Sequence, residues 1–349
     1  MERFFQLRQH GTNVRTEILA GLTTFMTMAY ILVVNPAILG IDGGMDLGAV
    51  FVATALSAAL GSLLMGFLAN YPVALAPGMG LNAYFTYTVV LGMGVPWQTA
   101  LGAVFVSGVL FLLLTVTKVR ETIINAIPTG MKHAVSGGIG LFIAFVGLKN
   151  AGIIVSNEAT LVGLNANLAD PQVLLTFFGL IVTTIFLVRR VRGGIFYAML
   201  ITAVVGMIVG VVPVPKGIVS APPSMAPTFF QLDILAALDL GLFTIIFAFL
   251  FIDLFDTTGT LVGVTNQAGM LKDGKLPRAG RALSADALAT MGGSLLGTST
   301  VTSYIESSTG VAAGGRTGLT AVATAGFFLL SVFFFPVIES VASIAAITS

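Results

Sequence analysis

The sequence predicts an all-α polytopic membrane protein of the inverted-repeat type, with two broken segments that carry short strands. Three observations predict it. Of the 349 residues, 56% are hydrophobic and only 9% charged, and the mean hydropathy is +1.00, far outside the range of soluble domains. Several apolar runs reach about 18 to 22 residues, enough to cross about 30 Å of hydrocarbon as a helix, and they lack the alternation of a barrel strand. Two further segments, at matching places in two halves of the chain, are interrupted by Pro, Gly and hydroxyl residues.

In chain order the spans are 17–39, 47–69, 73–93, 97–117, 133–149, 172–188, 193–212, 239–265, 283–297, 298–313 and 317–336, with a last apolar piece over 337–349. The lead-in "MERFFQLRQHGTNVRTE" has three arginines and no apolar core before a cleavage site, so it reads as a retained cytoplasmic segment. Basic residues test the topology, because short cytoplasmic loops carry the excess of Lys and Arg. With the N-terminus inside, fourteen of the sixteen fall on the inner side, and only Lys149 and Lys216 fall outside. The net charge of +1 points to no nucleic-acid partner, and the lack of cysteine removes disulfides, thiolate metal sites and iron–sulfur clusters.

The broken segments are the informative ones. In "YPVALAPGMGLNAYF" (Tyr71 to Phe85) a short extended piece is stopped by Pro77 and two glycines before a helical pattern resumes; in "GTSTVTSYIESSTG" (Gly297 to Gly310) a β-branched, hydroxyl-rich piece leads into a short helix. Irregular backbone at membrane depth survives only where protein or a polar cavity satisfies it. Paired interruptions mark a substrate site between the inverted repeats of a transporter. Asn82 and Glu306 lie 224 residues apart, and Thr23 lies 230 before Asp253. Two complete repeats of that size need roughly 450 residues, so the C-terminal part of the second repeat is expected to be missing.

The span "FLFIDLFDTTGT" (Phe249 to Thr260) holds Asp253 and Asp256 at i and i+3. An aspartate at a helix centre costs about 2.5–3.5 kcal/mol to insert, so something must offset the pair. Thr257 and Thr260, four residues on from each, extend a polar stripe, and Gly259 would admit a neighbouring backbone. Such acids read as a substrate or proton site facing the bundle interior, or as a structural pair bonded to neighbouring helices. Glu306 follows Ser303 at capping-box spacing, which gives it a structural reading beside that of a ligand contact. Asn82, after "APGMG", offers two donors and an acceptor, or simply satisfies a turn. Tyr304 and Phe85 flank the breaks and could stack on a planar ring or serve as packing.

Other signals lead nowhere. "GMLKDGKL" (Gly269 to Leu276) lacks the Ser or Thr of a phosphate-binding loop. His10 and His133 are isolated, so no metal site is expected, and neither a cofactor nor a catalytic residue. "NPA" (Asn35 to Ala37) occurs once, whereas water channels use two. An anion carrier would place positive charge between the half-helices and lack the acids. An intramembrane aspartyl protease would put its aspartates on separate helices, and a channel would avoid charged midplane residues at broken helices.

Four stretches, "TEILAGLTTFMTMAYILVVNP", "PGMGLNAYF", "FIDLFDTTGTLVG" and "TSYIESSTGVAAGGRTGLTAV", resemble the signature segments of the AzgA-like purine permeases. That group is a branch of the nucleobase transporter family, with the nucleobase/ascorbate and xanthine/uracil permeases, and the likeness runs from about Thr16 to Ala323. The resemblance implies a fold of seven plus seven segments, with a core domain that binds substrate and a gate domain against which it moves. On this chain 17–118 and 236–336 would be the two core repeats, 119–235 the first gate repeat, 1–16 a cytoplasmic lead, and 337–349 the start of an incomplete second gate segment. It also implies proton-coupled uptake of hypoxanthine, guanine or adenine across the inner (cytoplasmic) membrane, lipid around the spans, and a homodimer. Carried over by position, substrate contacts fall on Asp253, Glu306 and Asn82, the close-approach glycine on Gly80, and a pocket-lining residue on Tyr304; Phe85, beside the first break, is expected to join them as a ring contact to substrate. Asp256 falls on a second acidic position needed for activity, and Asp256, Glu306 and Thr257 are expected to serve proton coupling or to support the site. Family members continue for several helices past the position of Pro336, where thirteen residues remain here.

Overall fold

A computed structural model describes residues 2–117, 129–157, 160–191, 193–215, 217–271 and 276–348. Of the basic residues used to orient the chain, Lys118, Arg120, Arg192, Lys216, Lys272 and Lys275 lie outside them.

After a short N-terminal turn, α1 (Glu2–Phe5), the first membrane-length segment is α2 (Val14–Met28) running through α3 (Ile31–Pro36) into a π-helical turn (Ala37–Asp42). Asn13 caps α2 by accepting from Thr16 N at 3.0 Å. Asp46 caps α4 (Leu47–Leu64), whose faces are apolar almost all round because it sits inside the bundle. β1 (Leu75–Pro77), α5 (Met79–Ala83) and a π-helical run (Tyr84–Gly92) form the first broken segment, followed by α6 (Trp97–Val116) and α7 (Thr129–Asn150). A hairpin not foreseen in the sequence, β2 (Ile154–Asn157) with β3 (Leu161–Leu164), precedes α8 (Pro171–Val188) and α9 (Gly194–Val209).

The second half contains α10 (Ile234–Ala237), α11 (Phe243–Gln267) and α12 (Ala279–Leu296). The second broken segment, β4 (Val301–Ser303) with α13 (Ser307–Ala312), leads into α14 (Gly318–Ser331) and α15 (Phe335–Thr348). Pro336 opens α15, where its missing N–H costs nothing. Among the described residues, six helical segments are long and apolar enough to cross a membrane.

The two interruptions meet. β1 and β4 pair antiparallel in the register Leu75↔Ser303, Ala76↔Thr302, Pro77↔Val301, and both strands are buried. Gly78 N to Thr300 O (2.9 Å) and Tyr304 N to Ala74 O (3.0 Å) extend the ladder at each end. A two-stranded ribbon inside a membrane leaves two outer edges in need of partners. Hydroxyls on the flanking helices supply them. Ser62 Oγ of α4 accepts from Leu75 N (3.0 Å) and donates to Leu75 O (3.2 Å). Thr290 Oγ1 of α12 does the same for Val301, at 3.3 and 2.9 Å. The same device on equivalent helices of the two halves is the pseudo-twofold relation made visible.

Close backbone contacts hold the second broken segment to the first helix. A Cβ on Gly310 would lie 2.1 Å from Thr24 Oγ1 and 2.8 Å from Ala20 O, so α13 rests directly on α2, as small residues permit in membranes. Gly310→Ala is expected to destabilise the fold by about 1–3 kcal/mol through overpacking. A melting curve in detergent reads it, and an unchanged midpoint would show that the contact can relax.

Candidate functional site

Two acidic groups are built around the β1–β4 crossing, one open and one closed. Tyr30, at the turn between α2 and α3, donates its hydroxyl to Glu306 Oε1 at 2.8 Å. Glu306 occupies the position before α13 without capping it. The capping box expected from Ser303 and Glu306 does not form. Ser303 lies in β4 and its hydroxyl turns to Asp286 Oδ1 (3.3 Å), because the tight turn over residues 304–306 separates it from the helix start.

Glu306 is half-buried and lines a 290 Å³ cavity with Thr27, Thr309 and Arg190. The cavity lies between α13 and the connection that leads into α9. Asp256 is exposed on α11, with the Thr302 side chain of β4 against it. It lies within electrostatic reach of the Glu306 carboxylate and the Tyr30 and Tyr304 hydroxyls. Asp256 is thus exposed and Glu306 half-buried near the strand crossing, with only Glu306 lining that cavity.

Asp253 turns the other way. It is 2% exposed, and Thr257 Oγ1 lies 3.4 Å from Asp253 Oδ1 and 2.9 Å from Asp286 Oδ1. Asp286, on α12 and fully buried, is a member of the site that sequence reading missed. Its signal was available, because it is an ionisable residue inside an apolar span. Thr257 therefore joins two buried carboxylates on neighbouring helices. The polar stripe of α11 continues to Thr260, but among the described residues no group of another element lies within 4 Å of a Cβ placed on Gly259. The close backbone approach expected there is absent, since that face of the helix is exposed.

Asn82 is fully buried and held on both sides: its Nδ2 donates to Asn35 Oδ1 at 2.6 Å, and its Oδ1 accepts from the Ser299 hydroxyl. Asn35, from the lone "NPA", is the hub, donating in turn to Thr54 Oγ1 (2.7 Å) and Thr298 Oγ1 (2.9 Å). One amide network ties α3, α4 and both broken segments together. Asn35→Ala would strand the Asn82 amide, and a loss of about 1–3 kcal/mol is expected. Retained stability in urea or heat would mean that water replaces the amide.

The remaining candidates are packed into the protein around the strand crossing. Tyr304 is buried and donates to Pro77 O at 2.5 Å, pinning the turn after β4 to the end of β1. Phe85 is fully buried with its ring 6.4 Å from that of Phe249, while Tyr84 meets Phe249 edge-on at 5.2 Å. Gly80 lies half-buried in the first turn of α5. No group of three or more His, Cys, Asp or Glu with metal-binding geometry occurs among the described residues.

Comparison with known sequences decides the family. The model of the Permease family (Xan_ur_permease) matches residues 15–348, almost the whole chain. The chain belongs to this permease family. It is 53% identical over 353 residues to the guanine/hypoxanthine permease PbuG of Bacillus subtilis (strain 168), covering 98% of this chain and 80% of that one. To the adenine permease AdeP of Escherichia coli (strain K12) it is 48% identical over 347 residues, covering 99% and 77%. These relatives bear out the resemblance to the AzgA-like branch carried by the four motifs, and they are permeases, not enzymes. Among solved structures, the transmembrane domain of the cyanobacterium bicarbonate transporter BicA superposes with a TM-score of 0.69 at 14% identity, covering 96% of this permease and 87% of that chain. SLC26A9 superposes at 0.61 and 12%, covering 96% and 57%. Those likenesses show the fold, the inverted-repeat transporter fold, and the permease is a multi-pass membrane protein.

Proposed function

We propose that this permease takes up a purine nucleobase, hypoxanthine, guanine or adenine, together with protons. The core (17–118 and 236–336) would move against the gate (119–235 with 337–349). The membrane would be the cytoplasmic one, with the N-terminus inside. The observation that carries the reading is the open pair Asp256 and Glu306 at the crossing of β1 and β4. A purine presents ring N–H donors that carboxylates accept, and an exocyclic oxygen or amine that backbone groups at the start of α5 can meet. Relatives at 46–53% identity named for guanine/hypoxanthine and adenine transport support the substrate class.

In this division of labour Asp256 and Glu306 contact substrate, and Gly80 lets the base approach the backbone. Asn82, Tyr304 and Phe85, engaged with protein in this conformation, shape the walls. Asp253, joined through Thr257 to Asp286, is the buried partner that would hold the coupling proton. Acids at membrane depth that are kept in pairs are the usual sites of proton relays. An anion carrier of the same fold suits the site poorly, because Asp253, Asp256, Asp286 and Glu306 make it acidic. Homodimer formation is carried by the family resemblance.

The test is uptake of radiolabelled hypoxanthine by cells stripped of their own purine carriers and expressing this chain. Uptake that unlabelled guanine or adenine competes, that uracil does not, and that a protonophore collapses is expected. Uptake of uracil or bicarbonate with no purine uptake would refute the purine reading. Purine uptake indifferent to the protonophore would refute the coupling alone.

A further inference from the structure

At the end of the molecule that carries the N-terminal segment lies another cavity, of 670 Å³, which shares no lining residue with the one at Glu306. Its polar lining comes from Gln6, Gln9, His10, Arg278 and Arg316, and among the described residues no carboxylate lines it. The walls are built, not draped: Phe5 and Leu7 are buried against Leu319, and Asn70 Nδ2 donates to Phe5 O at 3.3 Å, which fixes the N-terminal segment over the helix ends. Arg278 has a left-handed backbone, φ +59°, and lies immediately before α12. Its guanidinium sits 5.2 Å from the centroid of the Tyr71 ring, a buried aromatic face that holds the cation in place.

Arg316 is oriented by its own turn, donating from Nη1 to Val311 O (2.6 Å) and Gly315 O (2.7 Å). The neighbouring carboxylate, Glu17, directs its hydrogen bonds elsewhere than to the Arg316 guanidinium. Glu17 accepts from Arg316 N, Thr317 and Thr320, and so serves backbone and hydroxyl donors instead. Two guanidinium groups, an imidazole and two amides therefore converge on one cavity, and its described lining holds no carboxylate. Guanidinium forks match the oxygens of a phosphate group. The cavity is also far larger than one phosphate group needs.

We infer that this cavity binds a phosphorylated ligand, with Arg278 and Arg316 on the phosphate and Gln6, Gln9 and His10 around the body that carries it. The same chemistry could come from an anionic lipid headgroup or from a soluble nucleoside phosphate. The test uses the full chain in a neutral detergent at low ionic strength, where screening is weakest. Melting temperature is followed against 5′-GMP, inorganic phosphate, phosphatidylglycerol and phosphatidylcholine. Arg278→Asn removes the charge while tolerating the left-handed backbone, and Gln9→Glu adds a carboxylate to the pocket.

A saturable rise with GMP or phosphate marks a soluble ligand, and a rise with phosphatidylglycerol but not phosphatidylcholine marks a lipid headgroup. In either case both variants should need at least about tenfold more probe for the same shift. The inference fails if none of 5′-GMP, inorganic phosphate and phosphatidylglycerol raises the midpoint above that with phosphatidylcholine, or if both variants respond as the unmodified chain does.

Discussion

Glu306→Gln is expected to lower purine uptake and purine affinity by about 10- to 100-fold, the loss of one charge-assisted hydrogen bond, in a protein that still folds. The amide oxygen can accept the Tyr30 hydroxyl as the carboxylate does, so the packing of α13 beside α2 is kept and the charge is removed. Tyr30→Phe is the companion variant, because it leaves the charge and removes only its orientation. A smaller effect is therefore expected, felt more in affinity than in maximal rate. Wild-type uptake in Glu306→Gln at matched expression would remove Glu306 from substrate contact. A collapse of both variants to unfolded protein would show that the bond is structural.

The largest effect on stability is expected from Glu17→Ala. The Glu17 side chain is fully buried and its carboxylate accepts five hydrogen bonds: Arg316 N at 2.9 Å, Thr317 N and Oγ1 at 3.3 and 2.8 Å, and Thr320 N and Oγ1 at 3.1 and 2.6 Å. These donors cluster at the start of α14, where free N–H groups and the helix dipole favour a negative charge. Truncation leaves them buried without an acceptor, so a loss of about 3–5 kcal/mol is expected even allowing for non-additivity. That corresponds to a fall in Tm of about 4–7 °C. Glu17→Gln, which keeps the shape and part of the acceptor capacity, should lose less. A midpoint within a degree of wild type for Glu17→Ala would mean that water reaches the start of α14.

What the sequence made legible is what short-range chemistry writes into it. Pro77 and its glycines, and the β-branched run before Tyr304, mark the two breaks at the strands found there, because a membrane tolerates irregular backbone only where partners exist. The acids at Asp253, Asp256 and Glu306 stand out because each is costly in an apolar segment. What stayed hidden depends on partners far along the chain. Glu17 read as the end of a polar lead-in, since Thr317 and Thr320 lie about 300 residues away. Asn35 looked like a leftover "NPA" because the network through Asn82, Thr54 and Thr298 exists only once both halves have folded together.

The division of the two aspartates was also beyond sequence reading. Their spacing places them on one face of α11, but that face is wide enough for one to meet α12 and the other to meet β4. The neighbours decide between a closed site and an open one: Asp286 draws Thr257, and with it Asp253, inward, while Thr302 sits beside Asp256.

The most direct measurement is ligand-induced thermal stabilisation of the purified chain with hypoxanthine, guanine, adenine, xanthine and uracil, in wild type, Glu306→Gln and Asp256→Asn. A rise with at least one of hypoxanthine, guanine and adenine, absent with uracil and lost in both variants, is the expected result, since a ligand that binds only the folded state raises its midpoint. Equal stabilisation of wild type and both variants, or stabilisation by uracil alone, would contradict a purine site at the open acidic pair.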